Sequence, residues 1–254
     1  SGLRQVARAA AAAGTVVRVG VNLGSLSPRM EAQYGRSAEA MAQSALEYCR
    51  FFTEEGCQAL KVSLKASSLP LTVAANRQFA ALSDIPLHLG VTEAGTASSG
   101  SIKSAIGIGS LLLDGIGSTI RVSLTAPPEE EVRAALRILA VLGLRQNGPE
   151  LISCPTCGRT RIDLIALATA VEDELARFAA AGRKLPWRKI AVMGCEVNGP
   201  GEARDADIGI AGGKGKGLLF KHGKIVRVLP ESELLAALRA EMEAASQASD
   251  RAAP

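Results

Sequence analysis

Two short motifs that contain cysteine carry the strongest chemical signal in the sequence. Cys154-Pro-Thr-Cys157 is followed further along the chain by Gly194-Cys195-Glu-Val-Asn-Gly-Pro-Gly-Glu202. The Gly-Pro-Gly turn of the second motif can fold the chain back and bring Glu202 close to Cys195. Three thiolates and one carboxylate would then surround a single centre.

The types of these ligands favour an iron–sulfur cluster and leave two other chemistries open. Thiolates are soft ligands that suit such clusters, and a carboxylate on the remaining iron is exchangeable, so the cluster would bind an incoming oxygen as well as carry electrons. The first alternative is a structural zinc site, with His222 or Glu202 beside the three cysteines. The second is a thiol–disulfide oxidoreductase that uses Cys154 and Cys157 alone.

The overall composition argues against nucleic-acid and membrane binding. The chain has 254 residues, of which 47% are hydrophobic and 3% aromatic, and its net charge is +4. The basic residues form no dense stripe, stacking aromatics are few, and no apolar run approaches the roughly 18 residues of a membrane helix. The five cysteines are an odd number in a long chain, and in a reducing compartment the Cys-x-x-Cys spacing favours metal or redox chemistry over structural disulfides. We therefore expect a soluble, cytoplasmic protein.

The first part of the chain alternates between predicted strands and predicted helices. Strands are expected at 16–21, 59–64, 85–91 and 118–124, and helices at 3–13, 37–55, 72–82, 101–114 and 127–142. Four strand–helix units with apolar strands predict a parallel sheet covered by helices, which is half of an eightfold (βα) barrel. Ligands of such sheets bind beyond the carboxyl ends of the strands. The expected working face therefore includes Asn22, Ser63, Lys65, Glu93, Ser123 and Thr125.

The pattern changes near residue 147, where we place a domain boundary. The second part predicts strands at 151–153 and 189–193, short strands near Ile208, Leu218 and Ile225, and helices at 163–181 and 230–245. The predicted fold class is thus α/β plus α+β: a partial TIM-type barrel over 1–147, then a small α+β domain over 148–254. The cysteine loop lies between a strand and a helix, whose N-terminus favours thiolates.

Taken together, the two cysteine motifs resemble the cluster motifs of the 4-hydroxy-3-methylbut-2-enyl diphosphate synthases, enzymes of the methylerythritol phosphate route to isoprenoids. Further segments resemble the barrel of that family, in the same order. They are Arg18-Val-Gly-Val-Asn22-Leu-Gly-Ser25-Leu, Lys61-Val-Ser-Leu-Lys65-Ala-Ser, His88-Leu-Gly-Val-Thr-Glu93-Ala-Gly, Lys103-Ser-Ala-Ile-Gly and Arg121-Val-Ser123-Leu. The resemblance covers nearly the whole chain.

The resemblance implies an iron–sulfur oxidoreductase. Its reaction would be the reductive ring opening of 2-C-methyl-D-erythritol 2,4-cyclodiphosphate to 4-hydroxy-3-methylbut-2-enyl diphosphate, with loss of a hydroxyl as water. Two electrons would pass one at a time through a [4Fe-4S] cluster from ferredoxin or flavodoxin. Cys154, Cys157 and Cys195 would be the thiolate ligands, and Glu202 would be the displaceable fourth ligand.

The resemblance also implies roles for residues of the barrel segments. Arg18, Lys61 and Arg121 would clamp the diphosphate. Asn22 and Ser123 would hydrogen-bond to it, and Glu93 would act near the reacting carbon as a proton donor or positioning group. Three further residues can equally satisfy loop carbonyls and are left out of the predicted site, namely Lys65, His88 and Lys103.

The barrel of the family has eight strands, and the segments here resemble the last four. Barrel closure predicts further strand–helix units upstream of residue 1. In members of the family the cluster domain of one subunit caps the barrel of its neighbour, so the resemblance implies a homodimer with a shared active site. Two other cysteines, Cys49 and Cys57, lie on or beside an amphipathic helix and are predicted to be core residues.

Overall fold

The chain folds as two units, each with its own hydrophobic core. The computed structural model describes residues 2–145, 148–195, 203–213 and 215–252. The first unit is Ser1–Arg145 and the second is Gln146–Pro254. Among the described residues, no helix is both long enough and apolar enough to cross a membrane.

The first unit alternates helices with parallel strands. In chain order its elements are α1 (Gly2–Ala13), β1 (Val17–Asn22), a 3-10 turn (Leu23–Ser25), α2 (Pro28–Tyr34), α3 (Ala38–Glu54), β2 (Leu60–Lys65), α4 (Leu69–Leu82), β3 (His88–Leu89), α5 (Ala97–Leu113), β4 (Thr119–Ile120) and α6 (Pro128–Val141). Strand β1 pairs with β2, and β3 pairs with β4. A single parallel bridge between Val62 and Leu87 joins β2 to β3, so the four strands lie side by side in sequence order.

Alternation along β1 and β2 separates the core from a polar face. Val19 and Val21 are buried, whereas Arg18 and Asn22 are exposed. Successive side chains of a strand point to opposite faces. The valines therefore pack on one side, where the amphipathic helix α3 and helix α4 also contribute to the core. The opposite side of the sheet is left to polar and charged residues.

Most of the predicted elements of the first unit are confirmed, and two strand lengths are wrong. The predicted strands 85–91 and 118–124 are paired as strands only over β3 and β4, two residues each. Beyond these residues the Arg121 N–H still donates to the Leu89 carbonyl, and the loop after β3 turns at Glu93, which has a φ of 53°. The short helix α2, which Ser27 caps through the Met30 N–H, was not predicted.

The second unit is a mixed five-stranded sheet with helices. Its elements are β5 (Glu150–Ser153), α7 (Leu164–Ala180), β6 (Lys189–Met193), β7 (Ile208–Gly212), β8 (Lys216–Lys221), β9 (Lys224–Pro230), a 3-10 turn (Glu231–Glu233) and α8 (Leu234–Ala252). The strand order is β5-β6-β7-β8-β9. Strands β5, β6 and β7 are parallel, and β8 and β9 are antiparallel to their neighbours. The predicted strands and α7 are confirmed to within a few residues, whereas the last helix begins at Leu234 and continues to Ala252, beyond the end predicted near residue 245.

The two cysteines outside the motifs are core residues, as predicted. Cys49 and Cys57 are both buried in the apolar core of the first unit. Burial raises the pKa of the Cys49 thiol to about 11, because the thiolate loses its hydration. These thiols therefore pack as small apolar groups.

Candidate functional site

Four positively charged side chains gather on the polar face of the first unit, and we call them the cation cluster: Arg18, Lys61, Lys65 and Arg121. Arg18 stands opposite Lys61 in the parallel register of β1 and β2, and Lys65 stands opposite Asn22. Arg121 directly follows β4 and donates its N–H to the Leu89 carbonyl over 2.9 Å. Within the part of the chain that the structure describes, none of the four forms an ion pair with a carboxylate.

Gly90 makes the close approach of Lys65 possible. A Cβ atom built on Gly90 would lie 3.0 Å from the Lys65 Nζ and 2.7 Å from the Arg121 carbonyl oxygen. A side chain at position 90 would therefore push the ammonium group away and separate β3 from the segment after β4. The absence of a side chain at Gly90 thus leaves room for the Lys65 ammonium group and for the close approach of the Arg121 main chain.

Crowding and burial shift the titration of the groups in the cluster. The pKa of Lys65 is lowered by burial first and then by the charges of Arg18 and Arg121. The pKa of His88 falls to about 4, through burial first and then through Lys65, Arg18, Lys61 and Arg121. The imidazole is therefore neutral near pH 7, and the positive charge of the face resides on the lysines and arginines.

His88 lies in the middle of this face and has one bonded and one unbonded ring nitrogen. Its Nδ1 is 2.8 Å from the Thr119 Oγ1, its register partner on β4. Its Nε2 is buried and has no hydrogen-bond partner among the described residues. A buried nitrogen without a partner costs free energy, which indicates a group that is completed by a small movement or by a ligand.

Glu93 occupies a strained position in the loop after β3. Its φ of 53° is rare for a residue with a side chain, and its side chain is exposed. The loop is held from its far side, where Gly95 accepts the Thr125 N–H over 2.8 Å and Thr96 bridges to Thr125. Strain of this kind persists only where surrounding structure imposes it, and it is frequent at functional sites.

The remaining predicted substrate residues lie at the carboxyl edge of the strands. Asn22 is the last residue of β1 and is exposed. Ser123 is half-buried in the segment after β4. That segment is fixed at its next residue, where the Leu124 N–H donates to the Glu131 Oε1 over 2.8 Å, from the first turn of α6.

The two cysteine motifs meet at the carboxyl ends of two neighbouring parallel strands. Cys154 directly follows β5 and Cys195 lies two residues after β6, and Ser153 pairs with Val192. The Gly194 N–H donates to the Cys154 Sγ over 3.3 Å, and the Gly194 carbonyl accepts the Arg161 N–H over 3.1 Å. Both motifs are thus bonded to each other through Gly194.

Cys157 is exposed and Cys195 is buried. The pKa of the Cys157 thiol is lowered, first by the Arg159 backbone N–H and next by the Thr160 hydroxyl, whose oxygen lies 3.9 Å from the sulfur. Thr160 also packs on the second motif, because a Cβ atom at Gly194 would lie 3.0 Å from its Cγ2. This threonine therefore supports both loops and favours the thiolate form of Cys157.

The sheet topology excludes His222 as a ligand that shares a metal with these cysteines. His222 follows β8, and its N–H donates to the Asp207 carbonyl, just before β7 begins. Lys221 pairs with Ile208, which pairs with Ile190 near the start of β6. The cysteines follow the opposite ends of the strands, and Ile190 to Met193 alone spans roughly 10 Å at about 3.3 Å per residue. Tetrahedral zinc needs every ligand within about 2.3 Å of the ion.

The thiols present fit a group that holds its ligands at several metal atoms. Among the described residues, no three His, Cys, Asp or Glu side chains converge closely enough to hold one metal ion. In an iron–sulfur cluster each thiolate binds a different iron, so thiols at adjacent strand ends suit it without converging on one point. The predicted fourth ligand, Glu202, lies outside the described residues.

Comparison with known proteins places both units in one family. The GcpE TIM-barrel domain matches residues 1–136, and the GcpE protein C-terminal domain matches residues 150–244. The chain belongs to the GcpE family. The resemblance and the combination of a TIM-barrel domain with a C-terminal domain, both expected from the sequence motifs, are thereby confirmed.

In the GcpE relatives, about half of the residues aligned with this chain are identical to it. A protein of Geobacter sulfurreducens is 55% identical over 89% of this chain, and one of Geobacillus thermodenitrificans is 51% identical over 94%. A protein of Salinispora arenicola is 48% identical over 93%. Each bears the name 4-hydroxy-3-methylbut-2-en-1-yl diphosphate synthase (flavodoxin). The chain spans 63%, 62% and 59% of the lengths of these three relatives.

The sequence analysis of this GcpE chain placed Lys65 on the working face but left both Lys65 and His88 out of the predicted site. The charges of Arg18 and Arg121 act on Lys65, and the charges of all four cations act on His88. A signal for Lys65 was present in the sequence: Lys61, Ser63 and Lys65 alternate with buried residues, so they share one face of β2. No comparable signal exists for His88, because its neighbours come from other strands.

Acid should destabilise the first unit of this GcpE chain through His88. Above about pH 6.5 the imidazole is neutral in both the folded and the unfolded chain. Between about pH 6.5 and about pH 4 only the unfolded chain takes up the proton, so the free energy of unfolding falls in this window and levels off below it. Urea unfolding, followed by hydrogen exchange in peptides of the first unit, measures this loss.

His88→Gln should lose less stability over that pH window than the parent chain, and His222→Gln is the matched control. The control replaces the other histidine, which lies in the second unit. In this control the free energy of unfolding of the first unit should depend on pH as it does in the parent chain. An identical pH dependence in the parent chain and in His88→Gln would contradict the assignment.

Glu93→Gly should raise the stability of the first unit by about 1 kcal/mol, because glycine adopts a positive φ without strain. Glu93→Ala removes the same carboxylate and keeps the strain, so it should bring no such gain. His222→Gly is the matched control, since His222 has a φ of 47° in the second unit and should bring a similar gain there. The measurement is urea unfolding read separately in each unit. A loss of stability in Glu93→Gly would refute the strain.

Proposed function

We propose that this chain carries the site for the reductive ring opening of 2-C-methyl-D-erythritol 2,4-cyclodiphosphate to 4-hydroxy-3-methylbut-2-enyl diphosphate. The observation that carries the proposal is the cation cluster, in which four charges lack carboxylate partners among the described residues. A cyclic diphosphate is a compact dianion that such a face would bind. The names of the GcpE relatives support the same reaction.

The substrate site is assigned to the first domain, 1–147. Arg18 and Arg121 have planar guanidinium groups that can donate two parallel hydrogen bonds to one phosphate, whereas Lys61 donates as a point charge. Lys65, which the sequence interpretation left out, joins this set because its Nζ lies over Gly90 beside Arg121. Asn22 and Ser123, at the carboxyl edge, would complete the hydrogen bonds to the diphosphate.

Glu93 is assigned the proton that the reaction consumes. Loss of the substrate hydroxyl as water requires one proton, and a carboxyl group at the carboxyl edge of the strands can supply it or position the leaving oxygen. The strained backbone at Glu93 supports this assignment, since the Gly95–Thr125 hydrogen bond holds the loop in a conformation that glutamate alone would not choose.

The second domain, 148–254, is assigned the metal centre. Cys154, Cys157 and Cys195 would hold a [4Fe-4S] cluster, with Glu202 as the displaceable fourth ligand. When bound, such a cluster supplies the two electrons of the reaction one at a time. Neighbouring hydrogen-bond donors would stabilise the ligand sulfurs. The Gly194 N–H donates to the Cys154 sulfur, and the backbone N–H of Arg159 and the hydroxyl of Thr160 favour the thiolate of Cys157.

Flavodoxin, which the names of the relatives include, is proposed as the electron donor, with ferredoxin as the other small carrier. We further propose that β1 to β4 correspond to the last four strands of an eight-stranded barrel. The complete active site would then form in a homodimer, in which the cluster domain of one subunit serves the barrel of the other.

Oxygen-free reconstitution with iron and sulfide should give a brown protein with about four irons per chain, as cluster stoichiometry requires. Cys154→Ser, Cys157→Ser and Cys195→Ser should each lose the colour and most of the iron. Cys49→Ala and Cys57→Ala are the matched controls, because these buried cysteines lie in the core of the first unit. Iron content and visible absorption are the readouts.

Other outcomes of the same experiment support the alternatives. A colourless protein that binds one zinc would indicate a structural metal site instead. Thiol–disulfide exchange that persists in Cys195→Ser would indicate an oxidoreductase that uses Cys154 and Cys157 alone. Either result would overturn the cluster assignment.

Arg18→Gln and Arg121→Gln should each weaken binding of the cyclic diphosphate by about tenfold or more, because hydrogen bonds to charged groups contribute about 1.5–3 kcal/mol. Isothermal titration calorimetry at fixed ionic strength measures the affinity without requiring turnover. Arg133→Gln is the matched control, since Arg133 is an exposed arginine on α6 that pairs with Glu130. Equal losses in all three variants would mean that the ligand responds to net charge alone.

A further inference from the structure

His88 combines one satisfied ring nitrogen with one that is buried and unpaired. Thr119 Oγ1 lies 2.8 Å from Nδ1 and can act as either donor or acceptor. Nε2 is shielded from solvent and has no hydrogen-bond partner in the described part of the chain. Whether Nε2 carries the proton of the neutral imidazole therefore depends on the groups that surround it.

The charged groups that act on His88 are all positive. The charged groups that act on the imidazole are Lys65 and Lys61 from β2, Arg18 from β1 and Arg121 from the segment after β4, and Lys65 contributes the largest electrostatic effect. A proton on Nε2 would direct a positive N–H dipole toward these cations. A lone pair on Nε2 would instead face ammonium and guanidinium donors, which is the favourable arrangement.

We propose that His88 is a positioning residue for Lys65: it carries its proton on Nδ1, donates it to the Thr119 Oγ1, and accepts a hydrogen bond from the Lys65 Nζ at Nε2. The Lys65 Nζ lies 3.0 Å from the position of a Cβ atom on Gly90, two residues after His88, so the flexible lysine side chain stands close to the imidazole. The bond satisfies the buried nitrogen and fixes the ammonium over Gly90, where the absence of a side chain leaves it room.

A neutral acceptor has a specific advantage in this place. A carboxylate partner would also orient the lysine, but it would cancel the charge and compete with an incoming anion. The imidazole orients the ammonium and leaves its full charge for the ligand. Only this last consequence rests on the proposed function, since the tautomer and the Lys65 bond are properties of the ligand-free chain.

The tautomer can be measured directly in the ligand-free chain. The sequence contains 2 histidines, so His222→Gln leaves a single set of imidazole signals. In two-dimensional 15N–1H spectra near pH 7, Nδ1 should have a pyrrole-like shift and Nε2 a pyridine-like shift. Lys65→Met should move the equilibrium toward the Nε2–H form, which free imidazole groups prefer. An Nε2–H tautomer in the parent chain, or no response to Lys65→Met, would overturn the proposal.

Binding of inorganic diphosphate tests the coupling between the two residues. His88→Leu should weaken binding about tenfold, and His88→Gln, whose amide oxygen reaches the position of Nε2, should restore it to within about threefold of the parent chain. In the double variant Lys65→Met/His88→Leu, the loss should not exceed that of Lys65→Met alone. Additive losses would overturn the proposal, because His88 would then act independently of Lys65.

Failure of the proposed anion site and failure of the role proposed for His88 give different results. If the parent chain binds no diphosphate, the anion site fails, and the tautomer measurement alone decides the role of His88. If His88→Leu does not fold, as judged by circular dichroism, the His88→Gln variant and the tautomer response to Lys65→Met still decide it.

Discussion

The parallel pairing of β1 with β2 is the constraint on which the first unit depends. It turns the valines of β1 into the core and, by the same alternation, places Arg18 and Lys61 opposite each other on the polar face. The short strands β3 and β4 then add Arg121 and His88 to that face. The mutual repulsion of these charges is a cost that core packing must offset, and a bound anion would relieve it.

A single backbone group has the corresponding importance in the second unit. The N–H of Gly194 bonds to the sulfur of Cys154, and its carbonyl accepts the N–H of Arg161. Two motifs that are distant in sequence thereby become one structure at neighbouring strand ends. Thr160 fills the space beside this glycine and bonds to the Cys157 loop, so the position of the thiols follows from packing as well as from the ladder between β5 and β6.

The sequence predicted those features that depend on local patterns. Strands β1 and β2 are β-branched or apolar runs, and helices α3 and α7 have clear amphipathic periodicity, so their positions were correct to within a few residues. The lengths of β3 and β4 were wrong because strand length depends on pairing with a neighbouring strand, which an apolar run in one segment does not specify. The helix α2 has only 7 residues and lacks a strong periodic signal.

The candidate site shows the same division. The cysteine motifs can be read directly from the sequence. The place of His88 in the candidate site depends instead on four cations that come from three other segments. The exclusion of His222 as a ligand depends on the order of the strands. Register across strands is a tertiary property, and period-two alternation within one strand reveals only half of it. That half groups Lys65 with Lys61 on one face of β2, but it does not bring His88 of β3 to them.

The gap at Gly90 has a consequence for how this surface can change over evolutionary time. Any replacement there adds at least one carbon atom at a distance of 2.7 Å from the main chain of the adjoining segment. A change in ligand preference must therefore come from other residues of the polar face, such as those that follow each strand, while position 90 itself cannot accept a side chain.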